Sequence, residues 1–164
     1  MVAEYVRVTP QELARALRDP DWAEEFTDDV LDAEAEAEED GELPVAERRG
    51  CDVGKAWDAL RILLHRIAPI DPCPFLGGEA FGEVWSYDRP RALTAEQVGV
   101  LAGQLSAVSF DMLEDAYDEQ CLAEAYLGPW SRDAVASLRE SYDALVEHFK
   151  FSTAAGDAMI LYLG

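Results

Sequence analysis

The residues "AMILYL", 158–163, place six apolar side chains in succession just before the terminal Gly164. A run this short and unbroken suits a β-strand covered on both faces. At the other end "EYVRVT" alternates and is rich in β-formers, which predicts a strand over about residues 3 to 8. A sheet therefore takes both ends of the chain, and the C-terminus is structural. The segments between read mostly as helices and loops. The fold class is α+β: a single compact domain over 1–164, with helices packed on a small sheet that includes the N- and C-terminal strands.

The helices announce themselves by their caps and their spacing. Thr9 and Glu12 make a capping box, Pro10 suits the first helical position, and Leu13 and Leu17 supply an inner face for a helix that stops near Pro20. Trp22, Phe26, Val30, Ala33 and Ala37 then recur every three or four residues, predicting an amphipathic helix over 21–40 with an anionic outer face. Residues 40–50 read as a loop, and Asp52 is placed to cap a helix over about 53–67. The Pro- and Gly-rich stretch 68–84 reads as a loop pinned by Phe75, Leu76 and Phe81. "EVWSY" suggests a short strand, and Thr94 with Gln97 a second capping box for a helix to about Leu105. Ser109 starts a short helix to about Tyr117. After Pro129 the spacing of Val135, Leu138, Tyr142, Leu145 and Phe149 predicts one more helix, which Gly156 ends.

Charge narrows the function classes. The 164 residues carry 34 acids against 13 bases, a net charge of -21. Such a chain repels phosphate backbones and anionic lipid, so neither nucleic acid nor a membrane surface is an expected partner. Residues 19–42 alone hold 13 of the acids and no base, so the charge is concentrated. With 49% hydrophobic residues and four Trp, the chain is that of a globular protein. Its length is enough to bury roughly 70% of the unfolded surface without a disulfide or metal. Cys51, Cys73 and Cys121 are too scattered for a zinc or redox motif. No signal-peptide pattern opens the sequence and no apolar run approaches the roughly 20 residues of a membrane span. The expected location is the cytoplasm.

Taken in order, "YVRVTPQEL", the acidic stretch leading into "DVGKAWDALRILL", "FLGG" followed by "YDRPRALTAEQV", "LSAVSFDML" and the closing "AAGDAMILYLG" resemble the YfbM-like family of small bacterial proteins, a domain family of unknown function. The resemblance runs nearly end to end. It implies a compact α+β domain in the bacterial cytoplasm and implies no reaction. Asp52, Lys55, Trp57, Leu63 and Leu64 match the family's central helix. Gly77, Gly78, Tyr87, Arg91 and Leu93 match its glycine and Tyr-to-Arg segment. Members often carry His where this chain has Asp58 and Arg61, so a paired-histidine site on that helix would be lost here.

No catalytic or cofactor signature emerges. In "KAWDALRILLH", Trp57, Leu60 and Leu64 share a core-facing side, while Asp58, Arg61 and His65 cluster on the other and read as a solvated face with an i,i+3 ion pair. Residues 36–47 match a calcium-loop spacing in outline, but the first place holds Glu rather than Asp and Pro44 stiffens the ninth, so no metal site is assigned. "GGEAFG" lacks the spacing of a phosphate loop. Seven serines and two histidines include no nucleophile elbow, and His148 lies near the end of a structural helix beside Phe149.

Two readings follow. The first is a non-catalytic binding module whose acidic helix presents Glu24, Glu25, Asp28 and Asp29 to a basic protein partner, in the manner of an inhibitor or immunity protein. The second is a small-molecule-binding protein or enzyme with a pocket between the helix 53–67 and the loop 68–91, lined by Lys55, Tyr87 and Arg91. Arg91 could clamp an anion there through its planar fork.

Overall fold

Both ends of the chain meet in the middle of one antiparallel sheet. The computed structural model describes residues 1–39, 41 and 43–164. Strand β1 (Ala3–Val8) pairs with β5 (Ala158–Leu163) along its whole length, from Ala3 opposite Leu163 to Val8 opposite Ala158. Beyond β1 lies β2 (Gly50–Asp52); beyond β5 lie β4 (Arg91–Leu93) and then β3 (Glu79–Ala80), giving the order β2-β1-β5-β4-β3. All six residues of β5 are buried, as the unbroken apolar run requires.

Successive side chains of a strand point to opposite faces, so the sheet separates two cores. Val6, Val8, Ala92, Ile160 and Tyr162 face α1 (Pro10–Arg18) and α2 (Pro20–Glu39), together with Phe81 and Trp85. Tyr5, Leu93, Met159, Leu161 and Leu163 face the larger layer. That layer holds α3 (Trp57–Ile67), α4 (Ala95–Ser106), α5 (Phe110–Asp115), α6 (Arg132–Ala136) and α7 (Arg139–Ala155). Each large apolar side chain so buried contributes about 1.5–3 kcal/mol, which is why the apolar stripes decide how the helices sit.

The expected caps form. Thr9 and Glu12 exchange side-chain-to-backbone hydrogen bonds, as do Thr94 and Gln97, and Ser109 accepts from the Met112 amide. Gly156 ends α7 at φ 73, a left-handed conformation that a side chain would strain.

Four expectations are corrected. Residues 40–50 contain a 3-10 turn at Val45–Glu47 and run into β2 at Gly50 rather than forming only a loop. Asp52 closes that strand and its Oδ1 accepts from the Gly54 amide at 2.8 Å; a 3-10 turn over Gly54–Ala56 intervenes before α3 begins at Trp57. "EVWSY" is not a strand: the Trp85 amide donates to Asp88 O, closing a tight turn with Ser86 at φ 54, and the strands lie on either side at 79–80 and 91–93. The helix after Pro129 is two, because Ser137 gives its hydroxyl to Ala134 O and ends α6 before α7 starts. Val135, Leu138, Tyr142, Leu145 and Phe149 are nevertheless all buried, so the apolar register runs through the break.

Helix α2 is rotated from its expected stripe. Ala23 and Thr27 are fully buried, Trp22, Phe26, Val30 and Leu31 half-buried, and Ala33 exposed. Thr27 tolerates burial because its hydroxyl donates to Ala23 O and Glu24 O. Trp22 and Phe26 stack on each other at the rim, where Arg15 covers Trp22 and Arg49 covers Phe26. The last residue expected in this helix, Asp40, lies outside the described residues, as does the fifth place of the calcium-like spacing that it fills.

Candidate functional site

The outer face of α2 exposes Glu24, Glu25, Asp28 and Asp29. Among the described residues none of the four carboxylates holds an ion pair or hydrogen bond. The neighbouring bases are engaged elsewhere. Arg49 pairs with Glu12 and donates to Arg7 O, and Arg48 pairs with Glu38 at 2.7 Å. The helix therefore presents uncompensated negative charge to solvent, the condition for long-range steering of a cationic partner.

Its inner edge carries an acid with a different task. Glu34 accepts hydrogen bonds from the backbone amides of both Arg49 and Gly50, the latter at 2.8 Å. It thereby caps donors at the start of β2, an edge strand whose open backbone would otherwise invite another chain. Gly50 lies close under α2: a Cβ at that position would sit 2.5 Å from Leu31 Cδ2, so that methyl would have to shift to admit a side chain.

Beside this contact a cavity of about 640 Å³ opens between α2, β2 and α7. Its walls carry the acids Glu4, Glu34, Glu38, Asp52 and Glu147 against one base, Arg48. Leu31, Ala35 and Ala144 add apolar surface. His148 also lines it, only 6% exposed, and its Nε2 is buried with no hydrogen-bond partner among the described residues. Burial, reinforced by the Arg7 guanidinium, lowers the imidazole from its ordinary 6.5 to about 3, so the ring is neutral at physiological pH. Arg7 is itself buried and satisfied, by Asp157 at 3.0 Å and by Ala46 O and Arg48 O. Burial first, and Asp52 second, push the Cys51 thiol up to about 12, which removes it as a nucleophile. Glu4 accepts from the Tyr162 hydroxyl at 2.9 Å.

The residues assigned to a pocket by the sequence do not line the cavity beside α2. Lys55 is exposed on the turn before α3. Tyr87 is 62% exposed at the tip of the 85–88 turn, and its amide donates to Leu163 O. Arg91 stands on β4 opposite Leu161 rather than in the loop, with Nη2 3.4 Å from Asp88 and a buried Nε that has no partner among the described residues. A cleft of about 180 Å³ does lie between α3 and the following loop, but Arg61, Leu64, His65, Ile70, Cys73 and Phe75 line it, and Lys55, Tyr87 and Arg91 do not. The polar side of "KAWDALRILLH" is more than a wet face. Asp58 pairs with Arg61 at 2.7 Å and accepts from the Tyr126 amide at 2.9 Å, fastening the 117–130 segment to α3.

His148 and Glu34 were missed as site residues. A histidine three after Leu145 and four before Ser152 falls on the buried stripe of α7, and that is the signal that could have marked it. Glu34 has no such mark, being one acid among 13. Among the described residues no group of three or more His, Cys, Asp or Glu is arranged to hold a metal ion, and no helix is long and apolar enough to cross a membrane.

Residues 1–162 match a family model described as a domain of unknown function, DUF1877. Among solved structures, the crystal structure of YfbM, a protein of unknown function from Escherichia coli, aligns with a TM-score of 0.66 over 98% of each chain at 14% identity. At that identity the likeness is one of fold. No curated protein matches the chain.

Proposed function

The chain belongs to the DUF1877 family of domains of unknown function, and from that premise we propose that this member is a non-catalytic binding module whose α2 face engages a basic protein partner. The observation that supports this reading is the set of exposed carboxylates on Glu24, Glu25, Asp28 and Asp29, unpaired among the described residues while Arg15, Arg48 and Arg49 are committed elsewhere. Opposite charge would speed encounter and set specificity more than it would set final affinity. An inhibitor or toxin-neutralising protein is one concrete form of such a module. The test is affinity purification from a bacterial lysate at low salt, with a bait in which the four acids are changed to Lys as control. A basic protein retained by the wild type and lost by the control supports the reading; identical recovery by both baits excludes α2 as the contact.

The second reading, a small-molecule site near Arg91, draws on the buried, unpartnered Nε of that residue. The cleft beside α3, at about 180 Å³, is below the roughly 300 Å³ at which ligand pockets begin. A thermal-shift screen of anionic metabolites in which any stabilisation survives Arg91→Ala would remove this reading.

A further inference from the structure

We propose that the open edge of β2 is a docking site for an extended, basic segment of a partner protein, which joins the sheet as a sixth strand between α2 and α7. The existing pairing shows which backbone groups are free. Arg7 donates its amide to Arg49 O and Val53 donates to Ala3 O, with Tyr5 opposite Cys51 between them. Bonded pairs alternate along an antiparallel ladder, so residues 49, 51 and 53 turn their backbone toward β1, while Gly50 and Asp52 turn theirs outward. Glu34 takes the Gly50 amide and closes the start of that edge. Past it, the Asp52 amide and the Gly50 carbonyl have no partner among the described residues, and the Asp52 carbonyl has only the weak Cys51 thiol, at 3.9 Å.

The cavity beside α2 lies where that sixth strand would run. Glu34, which meets the outward Gly50 amide, lines it together with all three residues of β2, so the outward edge opens onto it. Leu31 and Ala35 of α2 form one wall and Ala144 of α7 the other. Its volume of about 640 Å³ is in the range of sites that enclose a ligand. In strand addition the main-chain bonds give affinity and the flanking walls give specificity. Charge selects the occupant here. Asp52 lies opposite Glu4 on the α2 side of the sheet, Glu147 stands on α7, and neither Asp52 nor Glu147 holds an ion pair among the described residues. Successive side chains of a strand point to opposite faces, so consecutive bases in an incoming segment would meet Asp52 on one face and Glu147 on the other. A second copy of this chain, at a net charge of -21, would instead bring acids against acids. This surface does not rest on Glu24, Glu25, Asp28 and Asp29, which lie on the outer face of α2.

Titration of the full-length protein with the peptide acetyl-Val-Arg-Arg-Arg-Val-amide, followed by the backbone amide signals in NMR, tests the site. The Asp52 amide should shift saturably and exchange with solvent more slowly in the complex. The same peptide N-methylated at every peptide nitrogen keeps its charge but loses its backbone donors. It should bind about tenfold or more weakly, the loss of the hydrogen bonds to Gly50 O and Asp52 O. The acidic peptide acetyl-Val-Glu-Glu-Glu-Val-amide should not bind. Equal binding of the N-methylated peptide, saturable binding of the acidic one, or an Asp52 amide unmoved by the basic peptide would overturn the proposal. Shifts confined to residues 24–29 would overturn it while supporting the outer face of α2 as the contact, whereas shifts at Asp52 without any at 24–29 would support this site and count against that one.

Discussion

His148 sits beside the Arg7 cation in a place where its own protonation is opposed. The unfolded chain releases it to an ordinary pKa near 6.5, whereas in the fold the value is about 3. Above pH 6.5 both states hold the neutral ring and nothing is lost. As pH falls from 6.5 toward 3, the unfolded state takes up a proton that the fold refuses, so stability drops over that window. The slope approaches about 1.4 kcal/mol per pH unit at its steepest. Urea denaturation of wild type and His148→Leu at pH 7, 6 and 5 isolates this effect, because the carboxylates titrate in both proteins. Wild type should lose ground relative to the variant on acidification, and parallel profiles would contradict the assignment. Glu34 permits a second prediction. Glu34→Gln keeps one acceptor oxygen and replaces the other by a donor, leaving the Arg49 or the Gly50 amide unmet at a cost of about 1–3 kcal/mol, read as a lower urea midpoint. The sequence offered Thr9 with Glu12 and Thr94 with Gln97 openly, since a capping box is a contact between neighbours along the chain. It hid the roles of His148 and Glu34, whose partners or cavity come from residues 15 and more positions away.

Helices were legible as elements and short strands were not, for a physical reason. A helix satisfies its own backbone and carries its apolar period within itself, as the stripe from Val135 to Phe149 does even across the break at Ser137. Strands of three and two residues, β2 and β3, exist only because β1 and β4 offer them an edge, and nothing in "GCD" or "EA" alternates long enough to say so. Arg91 reads as the end of the loop 68–91 for the same reason; β5 is what makes residues 91–93 a strand. Helix α2 illustrates a balance visible at this scale. Glu24 with Asp28 and Glu25 with Asp29 are like charges one turn apart, each pair costing about 0.2–0.5 kcal/mol, and the buried Ala23 and Thr27 stripe has to offset them. Screening relieves that repulsion. Raising NaCl from about 0.02 to 0.5 M should therefore raise the melting temperature, and the rise should shrink in the variant carrying Asp28→Lys and Asp29→Lys. A melting temperature indifferent to salt in the wild type would mean that the outer charges are too far apart to matter.

At the level of the whole molecule, the sheet order puts β5, the last of the five strands in chain order, at the centre. β5 contributes Met159 and Leu161 to the larger core and Ile160 and Tyr162 to the other, and it pairs with β1 on one side and β4 on the other. The amide of Val2 donates to Gly164 O and that of Gly164 to Val2 O, so the pairing continues to the final residue. The agreement in fold with the Escherichia coli protein at 14% identity, over 98% of each chain, fits an architecture set by where apolar runs fall rather than by which apolar residues fill them. The consequence is a sharp dependence on seven residues. Deleting 158–164 removes the partner of both flanking strands and uncovers both helical layers at once. Neither β1 with β2 nor β4 with β3 is a sheet that stands alone, since an isolated strand pair is marginal in water. The truncated chain should keep part of its helical circular dichroism, lose its near-ultraviolet aromatic signal, and unfold in urea without a cooperative transition. Retention of a sigmoidal transition with the wild-type slope would show that the α3–α7 layer folds without the sheet, and the central role given to β5 would have to be withdrawn.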